Sequence, residues 1–158
     1  MAEDISGFLE TVNGEAEAVE RFVHLLEHEK ELLTEGRAER LAAVVEEKEE
    51  LAARLDDLTR QRGRYLADNG FTPDRKGMDD WSARHPAREK VIAAWNRTLS
   101  LAARAKELNR LNGQLVDLHM QYTDQALEIL TRKEGWLDLY GPDGRSTASG
   151  GPQINDVV

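Results

Sequence analysis

The sequence predicts an all-α fold: an antiparallel coiled-coil hairpin, one short connecting helix and a third long helix that completes a three-helix bundle, followed by a disordered C-terminal tail. Three observations carry this prediction. Apolar residues recur every seventh position in three separate runs, the spacing of helices packed along a common seam. Composition favours helix, with abundant Ala, Leu, Glu and Arg and only 6% aromatic residues. Gly36, Gly70 and Pro86 fall between the runs, where helices should stop and start.

The first run is Ile5, Val12, Val19, Leu26 and Leu33, flanked by Phe8, Leu9, Ala16, Phe22 and Val23. It predicts an amphipathic helix over 4–35, ended by Gly36 in a left-handed cap. The second run places Val44, Leu51, Leu58 and Tyr65 on one heptad position, beside Leu41, Leu55 and Leu66, and predicts a helix over 37–69 capped by Gly70. So short a connection at Gly36 should fold the two helices back on each other. In the next segment Thr72-Pro73-Asp74 resembles a helix start with proline in its first turn, but Gly77 should interrupt it, leaving a short helix over 78–84. Pro86 should then open the longest helix, over 86–134, with Gly135 at its end. A single domain over 1–135 is expected, and a flexible tail over 136–158, because GPDGRSTASGGPQINDVV holds few large apolar side chains.

One local signal opposes this reading. Asn112-Gly113 between apolar residues is a strong turn signal, yet Leu101, Leu108, Leu115, Tyr122 and Ile129 continue the heptad through it. The heptad should prevail, which puts Gly113 inside a helix at a cost of about 1 kcal/mol relative to Ala. Length gives that position a possible purpose. At about 1.5 Å per residue the hairpin helices are roughly 45–50 Å long and the third helix roughly 70 Å. It should outrun its partners between Leu111 and Met120, so Asn112 and Gly113 are candidates for a hinge. Beyond them Leu115, Leu118, Tyr122, Ala126, Leu127, Ile129 and Leu130 form an apolar stripe that nothing else in the chain is left to cover.

Composition narrows the function. A net charge of −9 over 158 residues argues against nucleic-acid and anionic-membrane surfaces. Without cysteine there is no disulfide framework, thiolate metal site or thiol nucleophile. No apolar run approaches a membrane span, and the acidic N-terminus lacks the features of a signal peptide, so the expected location is the cytoplasm, without membrane insertion.

The sharpest enzyme-like match is HLLEH, His24 to His28, which fits an H-x-x-E-H zinc-peptidase pattern. Leu26 holds the core position of that stretch, however, which puts His24 and His28 on the outer side, and no third ligand or cleft accompanies Glu27. A solvated helix face is the stronger reading, and neither enzyme activity, a cofactor nor a metal is expected. Lys48 and Arg62 fall on the apolar side of the second helix, where their stems should cover the seam while their charges reach water. Asn112 and His119 beside the last stripe should fix register rather than bind a ligand. His85 should be a loop or cap residue. Trp81 and Trp95 should pack the short helix onto the base of the hairpin. Trp136, Leu137, Leu139 and Tyr140 either fold back on the bundle or form a docking motif.

Several of these stretches together resemble the FlgN-like flagellar export chaperones: EEKEEL at 46–51, GFTPDRKGMDDW at 70–81, LNRLNGQL at 108–115, DQALEIL at 124–130 and LYGPDG at 139–144. The resemblance implies a binding protein that holds the helical C-terminal segment of hook-filament junction proteins, prevents their early assembly and delivers them to the flagellar type III export gate. The client would lie along the stripe from Leu115 to Leu130, and Leu139 and Tyr140 would contact the export gate or other components of the export apparatus. The alternative is a structural coiled-coil adaptor in which the same stripe pairs two copies into a homodimer.

Overall fold

A computed structural model describes the backbone over residues 4–131 and side chains over 4–122. Every regular element among the described residues is helical: α1 (Ile5–Glu35), one 3₁₀ turn (Ala38–Arg40), α2 (Leu41–Asp68), α3 (Arg75–Arg84) and α4 (Glu89–Thr131). The chain divides into two compact units, Met1–Asn109 and Arg110–Val158.

Local chemistry accounts for the ends. Asp4 caps α1 by accepting the Gly7 N–H at 3.0 Å. Gly36, at φ 70°, stops it, and the N–H groups of Gly36 and Arg37 donate back to the carbonyls of Leu33 and Leu32. Gly70, at φ 84°, ends α2 by the same device, with Gly70 and Phe71 donating to Ala67 and Leu66. Both glycine stops stand as expected.

The start of α3 differs from expectation. Asp74, not Pro73, sets it, because the Asp74 carboxylate accepts the Gly77 N–H at 2.9 Å and the Thr72 hydroxyl at 2.6 Å. The helix therefore opens at Arg75, and Gly77 lies within it rather than interrupting it. A Cβ on Gly77 would sit 1.7 Å from the Thr72 carbonyl oxygen, so glycine is needed there for close approach. Pro86 likewise does not open α4. His85 caps α3, the Arg88 N–H donates to the His85 carbonyl in a turn, and the helix begins at Glu89. Asn112-Gly113 is helical, as the heptad requires. The expected end at Gly135 lies outside the described residues.

Within Met1–Asn109 the helices pack as a bundle whose directions follow from residue pairs. Arg62–Glu15 and Lys48–Glu29 run in opposite order, so α1 and α2 are antiparallel. Arg97–Glu20 and Arg104–Glu27 run in the same order, so the first part of α4 is parallel to α1. Phe8, Val12, Leu66, Met78, Trp81, Val91, Ala94 and Trp95 form the core at the base, where α3 is seated. Phe8 stacks on Tyr65 with ring centroids 3.8 Å apart and meets Trp81 edge-on at 5.0 Å. Trp81 and Trp95 thus play the packing role read from sequence, and Trp95 also donates its indole N–H to Asp79 at 3.0 Å. Farther along, Leu25, Leu32, Val44 and Leu51 join α1 to α2, while Val23, Leu26 and Leu108 join α1 to α4.

The charges of Lys48 and Arg62 are paired with acids of α1 rather than left to water, and that of Arg62 is buried. Arg62 is 7% exposed, donates Nε to Glu15 at 2.6 Å and lies 4.7 Å over the Trp95 ring. Lys48 meets the largely buried Glu29 at 2.6 Å. The reason lies on α1, where Phe8, Glu15, Phe22 and Glu29 alternate at seven-residue spacing on the seam. Arg62, Leu55 and Lys48 answer them in reverse order on α2, so each cation on the seam finds an acid. A slip of one heptad would set Glu15 opposite Leu55, or Glu29 opposite Leu55, and leave a cation unpaired.

Candidate interaction face on the last helix

Burial along α4 changes with position. Val91, Ala94, Trp95 and Leu108 are buried. Asn112 is also buried, at 2% exposure, which fits a polar residue that fixes register. Beyond it Leu115 is half-buried, and exposure climbs to 50% at Leu118 and 71% at Tyr122. Val116 adds a further exposed apolar side chain at 40%. His119 is exposed. Leu115, Leu118 and Tyr122 are spaced by three and four, so they follow one line on the helix.

Helical geometry brings these residues into line, and the helix is unbroken at Asn112-Gly113. Gly113 does not adopt a left-handed conformation, and a Cβ placed on it would meet nothing within 4 Å. Ala126, Leu127, Ile129 and Leu130 belong to the same helix, but their side chains lie outside the described residues, as do Leu139 and Tyr140 entirely.

The HLLEH stretch sits as its register requires. Leu26 is fully buried and His24 and His28 are exposed. Glu27 accepts from Arg104 at 2.8 Å, and His28 lies 4.0 Å from Glu31. Among the described residues no group of three or more His, Cys, Asp or Glu side chains is gathered to hold a metal ion. No helix among them is long and apolar enough to cross a membrane. His85 is a cap residue, as read, and its Nδ1 lies 2.8 Å from the Trp81 carbonyl, which places the proton on Nδ1.

Sequence reasoning missed the buried acids Glu15 and Glu29. The signal was present, because each lies three residues after one apolar heptad position and four before the next. It also passed over Val116, which falls off the main stripe.

The family model described as FlgN protein matches residues 1–148. The chain belongs to the FlgN family. The relatives of this FlgN-family chain include the flagella synthesis protein FlgN of Yersinia enterocolitica, 29% identical over 132 residues, covering 82% of each chain. The protein of the same name from Salmonella typhimurium LT2 is 28% identical over 135 residues, covering 83% of this chain and 85% of its own. No solved structure matches the chain.

Proposed function

We propose that this chain serves flagella synthesis as an export chaperone that binds the helical C-terminal segment of hook-filament junction proteins, and that it is a binding protein rather than an enzyme, working in the cytoplasm. The observation that carries the reading is the rise in exposure along the apolar line of α4, to 50% at Leu118 and 71% at Tyr122. A contiguous exposed apolar line on a regular helix marks an interaction site, and a second amphipathic helix laid along it would complete a helical seam. Family membership supports the flagellar setting, since the relatives carry the name flagella synthesis protein.

In this reading Leu115, Leu118 and Tyr122, and farther along Ala126, Leu127, Ile129 and Leu130, take the client segment. Affinity comes mainly from apolar area removed from water. Leu139 and Tyr140 are the proposed contact with the export gate. Gly113 is the proposed bending point at which the client-binding part of the helix adjusts. Mixing the purified chain with C-terminal segments of junction proteins and following sedimentation tests the reading. A one-to-one complex supports it. A chain that sediments as a stable dimer at micromolar concentration and ignores these segments favours the homodimeric adaptor instead.

A further inference from the structure

Two kinds of edge flank the apolar line of α4. Along its first part the seam with α1 is edged by ion pairs spaced seven residues apart, Arg97 with Glu20 and Arg104 with Glu27. That is the pattern by which paired helices select each other by charge. From Leu111 to Thr131 the pattern is gone: no Lys or Arg occurs between Arg110 and Arg132, and the charged residues are Asp117, Asp124 and Glu128, all acidic. Spaced by seven and four, these three fall on one line. At about 100° per residue, that line lies roughly 140° around the helix from Tyr122, on the reverse side. The edge between it and the apolar line belongs to Gln114, Gln121 and Gln125, also spaced by seven and four, and Gln114 and Gln121 are exposed.

Resting on the docking reading above, we infer that the exposed α4 face takes a helix with an apolar seam and uncharged amide or hydroxyl edges, held without ion pairs. Apart from His119 on the opposite edge, the face offers no cation to an acidic client edge, since it carries no Lys or Arg, and its acidic positions fall on the line across the helix from the seam. What it offers beside Leu118 and Tyr122 is the donor and acceptor pair of a glutamine amide, which matches another amide or a hydroxyl and gives nothing to a charged head that must shed its water. Charge complementarity therefore excludes the edge chemistry used on the α1 side of the same helix. Binding held this way is insensitive to salt, because only exposed charge pairs are screened.

The test uses the full chain and two labelled synthetic helical peptides with the same leucine seam and zero net charge, one edged with Gln and Ser, the other with Glu and Lys. Fluorescence anisotropy gives each Kd at about 50 mM and about 500 mM NaCl. The expected result is tighter binding of the Gln/Ser peptide, a Kd that moves by less than about twofold with salt, and loss of that binding in Leu118→Gln. Preference for the Glu/Lys peptide, or a Kd weakened about tenfold by salt, overturns the inference and leaves the docking reading standing. Junction-protein segments that bind while neither peptide does overturn it in the same way. If neither peptides nor segments bind, both fall. A stable dimer that occludes Leu118 also overturns it, the occupant then being a second copy.

Discussion

Arg62 illustrates how one residue ties the base of the bundle together. Its guanidinium binds Glu15 of α1, covers Trp95 of α4 and leaves Nη1 buried without a hydrogen-bond partner among the described residues. Truncating one member of such a pair strands the other charge away from water, so Arg62→Ala should cost about 3 kcal/mol in urea unfolding. The double change Glu15→Leu with Arg62→Met should recover most of that loss, because an apolar pair of similar volume carries no desolvation penalty. Glu15 also makes a pH prediction. Burial outweighs the attraction of Arg62 and raises the Glu15 carboxyl above its ordinary 4.5. The folded chain then holds this proton more tightly than the unfolded chain. The Glu15 contribution to stability therefore grows as pH falls from neutrality through the raised value towards 4.5. Unfolding measured at pH 7 and pH 5 should show the wild type gaining relative to Glu15→Gln; an unchanged difference would contradict the assignment. Gly77 gives the third prediction at this scale: Gly77→Ala forces the Thr72 carbonyl aside and should cost about 2 kcal/mol in the same assay.

At the scale of elements, the helix stops at Gly36 and Gly70 were legible because each needs a left-handed residue that few side chains tolerate. The start of α3 was not, since the deciding event is a carboxylate reaching forward three residues while a carbonyl approaches within the space a Cβ would fill. Pro86 misled for a related reason: a proline can open a helix or sit in the turn before one, and the His85–Arg88 turn chose the latter. The buried charges were misread because stem burial and charge burial look alike along one helix; only the matching acids on α1 distinguish them. The continuity of α4 was fully legible from the heptad. Gly113 occupies open space in that helix, so Gly113→Ala should raise stability by about 1 kcal/mol. If the helix bends there to accept its client, the same change should also alter client affinity; a stability gain alone would dispose of the hinge.

For the whole molecule, charge is distributed by role. Opposite charges pair across the hairpin and the α1–α4 seam, while α4 from Leu111 to Thr131 carries an apolar line and no Lys or Arg. Three of the seven residues of the candidate face have described side chains, and there the line of Leu115, Leu118 and Tyr122 read from sequence coincides with rising exposure. Truncation after Glu134 should leave client binding intact and impair export, if Leu139 and Tyr140 contact the gate; unimpaired motility would remove that role. The most direct measurement is the affinity of a junction protein's C-terminal segment for the chain carrying Leu118→Gln and Tyr122→Gln, read beside its helicity and melting. The account predicts binding weakened by about 2 kcal/mol, roughly 30-fold, with melting unchanged. Equal loss of binding and stability, or binding left intact, would contradict it.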